Sequence, residues 1–183
     1  MSLAHDLTAF ASIVDKEAIA PESKSRFSLL APRCIIRSAL FIALDRFTCP
    51  ERIGSEAGYV RREGAKTQSE ISLQRQSMQI IELQSQQLHA IGMDILAESQ
   101  MDTEAAQHYA LGHVGPLILD AMYAGAATFY WMVSECGEEV YGTAASDLGR
   151  VLEALGSRWR LGNVYRDLLE MHDASVREGA RVV

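Results

Sequence analysis

The sequence is poor in the residues that mark metal, export or nucleic-acid chemistry. It holds three cysteines in 183 residues, Cys34, Cys49 and Cys136. They are far apart and odd in number, with no CxxC pair, which excludes a structural zinc site of known spacing. Reduced thiols are the simplest reading. Aromatic residues make up only 7%, too few for a base-stacking surface. Lysine and arginine total 17 against 24 acids, so the net charge is −7. A chain this acidic does not bind phosphodiester backbones through its general field. Its start lacks a basic segment followed by an apolar core, so no signal peptide is expected. Also missing are a nucleophile elbow, a phosphate-cradling glycine loop and a dinucleotide fingerprint. No cofactor is expected.

What is present is helical. Hydrophobic residues reach 48%, and four prolines leave room for long helices. Leu3, Leu7, Phe10, Ala11 and Val14 recur at helical spacing over 3–19. A second helix enters at Ala31-Pro32 and runs to about Phe47, since proline suits a first helical turn. Residues 48–66 read as a loop. Thr67 and Glu70 then have capping-box spacing and open a long amphipathic helix to about residue 100. Ile71, Met78, Ile81, Leu88 and Ile95 form its stripe. That stripe is either a candidate interaction face or ordinary bundle burial. Gln74, Gln76, Gln79, Gln84, Gln86 and Gln87 are assigned to its outer side. A short helix is expected from Asp102 or Thr103 to Gly112.

Residues 116–136 are apolar nearly all round, which marks a central helix closed by Gly137. The segment is at the lower limit of length for spanning a membrane and contains Asp120, so no membrane partner is expected. A last helical region is expected over about 144–177, with Gly156 and Gly162 as weak points. The predicted fold is all-α: a multi-helix bundle around the central helix, one domain over 1–177 and a tail over 178–183.

Candidate sites are sparse. Tyr123, Phe129, Tyr130 and Trp131 surround a narrow stretch of alanines and glycine on the central helix. With Trp159 they are the candidate lining of a ligand pocket, against close helix packing as the plainer reading. Glu104 and His108 are four apart and share a helical face, and His113 follows five further on. A small metal-binding protein or helical enzyme using these three is the alternative function. A free-standing ligand-binding bundle is another. Nothing assembles a general acid, a base and an orienting partner, so the chain is read as non-enzymatic.

Three stretches carry a resemblance: SLLAPRCIIRSALFIALDRFTCP, PLILDAMYAGAATFYWMVSE and DLGRVLEALGSRWRLGNVYRDLLE. Together they resemble the regulatory region of fungal zinc-cluster transcription factors over about residues 28–171. In such regions a near-apolar helix after a proline precedes a long helix. That second helix matches here at Leu152, Leu155, Arg158, Trp159, Tyr165, Leu168, Leu169 and Glu170. The resemblance implies a regulatory domain of nucleus and cytoplasm that senses a small-molecule effector, self-associates, or contacts the rest of a larger factor. The six-cysteine DNA-binding motif of the family is absent, so no direct nucleic-acid contact by this chain is expected.

Overall fold

The computed structural model describes residues 2–19, 29–48, 67–99 and 114–180. They form six helices: α1 Ser2–Ile19, α2 Leu30–Thr48, α3 Gln68–Ser99, α4 Leu117–Cys136, α5 Glu139–Gly156 and α6 Arg160–Ala180. The fold is an all-helical bundle, and no strand occurs among the described residues. The expected short helix after Asp102 lies outside the described residues, as does nearly all of the expected loop.

Local chemistry sets the helix ends. Thr67 and Glu70 form the reciprocal box their spacing predicts. The Thr67 amide donates to Glu70 Oε2 at 2.8 Å, and the Glu70 amide donates to Thr67 Oγ1 at 3.2 Å. Two amides that have no partner inside the helix are thereby satisfied. Gly137 ends α4 with φ 72°, and its amide donates to Val133 O at 2.8 Å. Only glycine adopts that left-handed turn without strain. Glu139 then opens α5 after a two-residue connection, placing an acid at a helix N-terminus.

The helical region expected over about 144–177 is two helices, α5 and α6. It breaks at Ser157–Trp159, and α6 returns along α5. The cause is a close crossing of Gly156 and Gly162. A Cβ on Gly162 would lie 2.6 Å from Leu152 O and 3.0 Å from Gly156 N. The two glycines that weaken helix propensity are the ones that let the corner close.

Neighbour relations give two layers. Helices α1, α2, α4 and α6 lie side by side in that order; α3 packs across α2 and α4, α5 packs across α4 and α6, and α3 touches α5. Helix α4 is the hub, packed against four of the other five. Ile118, Leu119, Ala121, Met122 and Ala126 on it are fully buried. Its burial is one-sided, however. Asp120 and Ser134 are exposed, and Ala124, Ala127 and Trp131 are half-buried. Small residues set the spacing: a Cβ on Gly92 of α3 would meet Leu148 Cδ2 at 2.8 Å, and one on Gly125 of α4 would meet Leu88 Cδ1 at 3.2 Å. So α3, α4 and α5 approach closely, and Gly92 does not break α3.

The α3 stripe is spent inside this bundle. Ile81, Leu88 and Ile95 are buried, and Ile71 and Met78 are half-buried. Burial within the chain accounts for the stripe, which leaves little of it for a partner. The assignment of the glutamines to one outer face needs correcting. Gln76, Gln79 and Gln86 are exposed, but Gln84 is only 2% exposed. Gln74 donates to Thr48 O at 2.6 Å and Gln87 accepts from Arg37. Because α3 is packed against α2, α4 and α5, its buried arc is wider than one apolar stripe.

Candidate functional site

The sequence-predicted aromatics do not converge. Phe129 is 1% exposed, between His89 (ring centroids 6.3 Å apart, edge-on) and Tyr141 (6.0 Å, stacked). It is core. Tyr123 faces α6 instead, stacked on Tyr165 at 4.8 Å, and Tyr165 OH donates to Asp120 at 3.4 Å. Tyr130 lies farther along the same seam, 6.1 Å from His172. Trp159 holds the α5–α6 corner: its Nε1 donates to Val114 O at 3.4 Å, and the Arg158 guanidinium sits 5.3 Å from its ring centroid. Trp131 lies on the half-buried side of α4, its own Nε1 buried without a hydrogen-bond partner. An aromatic set spread around a helix cannot line one cavity.

One groove does reach this set. It lies between the end of α4, the start of α5 and the outer half of α6, with a volume of about 460 Å³. Tyr130 and Val133 form its apolar wall, while Glu139, Asp147, Arg150 and Asp173 form a charged rim. Asp147 is already engaged: its Oδ2 lies 2.9 Å from His89 Nε2, and its Oδ1 accepts from Arg150 at 3.3 Å. Beside that pair, Tyr141 OH donates to Glu82 at 2.7 Å. The bond to the Glu82 carboxylate, with burial and that charge, pushes the phenol up to about 12. These groups tie α3 to α5. Glu104, His108 and His113 lie outside the described residues, and among the described ones no three His, Cys, Asp or Glu side chains gather as metal ligands.

A buried ionic cluster ties α1 to the bundle. Arg37 is completely buried on α2. Its Nη2 donates to Asp15 Oδ2 at 2.5 Å and to Gln87 Oε1 at 2.6 Å, and its Nη1 donates to Arg33 O at 2.7 Å. Arg33 Nε donates to Asp15 Oδ1 at 2.8 Å. One carboxylate on α1 is thus clamped by two guanidiniums from α2, and Gln87 of α3 accepts a further bond from Arg37. Cys34 sits beside them, fully buried. Burial, opposed by the Arg37 and Arg33 charges, pushes its thiol up to about 12. A helix N-terminus does not activate it. In the native protein, Cys34 is expected to resist alkylation even at pH 9, while exposed Cys136 reacts; peptide mapping after timed iodoacetamide treatment checks this.

What the sequence reading missed is a surface. Three helices of the α1–α2–α4–α6 layer each turn large apolar side chains outward. On α6, Gly162, Tyr165 and Leu169 face the bundle, and Arg166 reaches back to Glu153 of α5 at 3.4 Å. Leu161, Val164, Leu168 and Met171 lie on the other side, 47%, 51%, 41% and 70% exposed. On α2, Arg37 points to α3, and Ile35 and Ile42 lie nearly half a turn away, Ile42 being 76% exposed. On α1, the residues packed inward are small: Ala4, Ala11 and Ala18, with Val14. Leu3, Phe10 and Ile13 face out. Leu117 at the start of α4 adds to the same side. Of the thirteen large apolar side chains exposed among the described residues, ten belong to this layer; only Leu83, Met93 and Val140 lie on α3 and α5.

Scattered exposed apolar residues are normal, but a contiguous set marks an interaction surface. The 3-4-3 spacing of Leu161, Val164, Leu168 and Met171 was legible. Periodicity, however, shows how wide an apolar arc is and not which part of it is covered. No described helix is long and apolar enough to cross a membrane. No family model, curated protein or solved structure matches the chain.

Proposed function

We propose that this chain is a non-enzymatic helical regulatory module of the kind found in fungal zinc-cluster transcription factors, acting by docking another polypeptide. The observation that supports this is the outward apolar side of the α1–α2–α4–α6 layer. Its ionisable clusters support it too, because they join helices to one another: Asp15 with Arg33 and Arg37, His89 with Asp147, and Glu82 with Tyr141. A partner on that layer touches α1, α2, α4 and α6 together. Docking would favour one arrangement of the outer helices over others, by as much as its affinity differs between them. The groove beside Tyr130 is the place for a small effector, since it is bounded by α6, which also bears the apolar stripe.

Fusing the chain to an unrelated DNA-binding domain in a fungal reporter strain tests the reading. The fusion is expected to change reporter output, and Leu168→Glu or Ile42→Glu is expected to abolish that change. Output that the chain leaves unaltered, or that both substitutions leave intact, defeats it.

A further inference from the structure

The nature of the partner can be taken one step further, resting on the docking reading above. We infer that the occupant of the α1–α2–α4–α6 face is a second copy of this chain, seated face to face about a two-fold axis.

The first argument is area. The four helices are 18, 19, 20 and 21 residues long. At 1.5 Å per residue and about 9 Å between axes, they present a face on the order of 1,000 Å². A stable pair needs roughly 800 Å² from each partner. The face is large enough, and its apolar residues extend from α1 at one edge to α6 at the other.

The second argument is the regularity of the face. Helices α4 and α6 run parallel: Val114 meets Trp159 at their starts, Tyr123 meets Tyr165 midway, and Tyr130 meets His172 farther on. Between the ridges of α2 and α6 lies the outward side of α4, where Ala124, Ala127 and Trp131 are half-buried and Leu117 and Asp120 near its start are exposed. Two apolar ridges with a valley along α4 between them make a self-complementary face. In an isologous pair, a ridge of one copy enters the valley of the other.

The third argument is charge. Helices α3 and α5 carry seven acids against two bases. Pairing through the opposite layer puts this acidic pair of helices on the two outer surfaces, as far apart as the assembly allows. On the apolar layer, Asp15 is already neutralised by Arg33 and Arg37. The four helices of the apolar layer carry ten acids against seven bases, so pairing through them brings less like charge together than pairing through α3 and α5.

Sedimentation equilibrium of the purified full chain from about 1 to 100 µM decides the matter. The expected result is a reversible species of twice the 20.2 kDa chain mass. Leu168→Glu and Ile42→Glu each place a charge where the apolar faces meet, and each is expected to weaken pairing by about 10- to 100-fold. Leu83→Glu and Val140→Glu, on the opposite layer, are expected to leave it unchanged. All four positions are exposed, and circular dichroism verifies that each variant folds. A chain that stays monomeric throughout overturns the inference, as does pairing that weakens only with the α3 and α5 variants. A monomer that still shifts reporter output in the fusion assay removes self-pairing alone and leaves docking of another protein standing. Loss of both removes the docking reading itself.

Discussion

Replacing Asp15 with alanine is expected to destabilise the fold more than replacing Arg37 with methionine, although Asp15 is the more exposed residue. The asymmetry follows from what each change leaves behind. Arg37 has no exposed surface, and Asp15, at 2.5 Å, carries its only countercharge among the described residues. Without Asp15 the guanidinium stays buried among neutral acceptors, the Arg33 carbonyl and the Gln87 amide. Stranding a buried charge costs about 3–5 kcal/mol. Without Arg37, by contrast, Asp15 keeps Arg33 at 2.8 Å, and the methionine fills most of the vacated space. That change is expected to cost about 2 kcal/mol, chiefly for the lost bonds to a carbonyl and an amide oxygen. At 2–4 °C per kcal/mol for a chain of this length, Asp15→Ala lowers the melting temperature by about 6–20 °C. The double substitution is expected to be milder than Asp15→Ala alone, because it removes the stranded charge. Thermal denaturation of the three variants measures this directly. A double variant as unstable as the sum of the singles would show that the ion pair is not a coupled unit.

The α5–α6 corner makes the second large prediction. Gly162→Ala puts a methyl group 2.6 Å from Leu152 O and about as close to the Gly156 backbone as heavy atoms come, 3.0 Å. Backbone on both sides cannot swing away as a side chain would. The helices must separate, and overpacking of this kind costs about 3 kcal/mol. Gly149→Ala is the contrasting case. Gly149 lies within α5 with nothing within 4 Å of an added Cβ, so alanine there is expected to stabilise by about 0.5–1 kcal/mol. Helix propensity favours alanine at both sites, so opposite signs isolate the close crossing. Urea denaturation midpoints give the comparison, and equal shifts would mean the corner has room to relax.

Part of this molecule was legible because its signals are local. The capping box at Thr67, the stop at Gly137 and the near-apolar run from residue 116 need only neighbouring atoms to express themselves. The hub position of α4 also followed, since a helix apolar on most sides is stable only among other helices. The break at Ser157 did not follow. Gly156 and Gly162 signal weakness, but whether a chain bends there depends on a partner helix across the crossing.

The placement of side chains at a distance was the hardest to read. Gln84 and Gln87 look like their exposed neighbours Gln76 and Gln86 in sequence, yet they point inward because α2 and α4 close over that side of α3. The aromatics of α4 look like a cluster in one dimension and diverge in three, since successive residues turn by about 100° around a helix. Composition, capping and periodicity are properties of a segment and its own backbone, and they determined an all-helical chain with α4 at its centre. Which part of each apolar arc is covered is decided by neighbours remote in sequence. Only the packed bundle therefore revealed that α6 buries Leu169 and leaves Leu168 facing out.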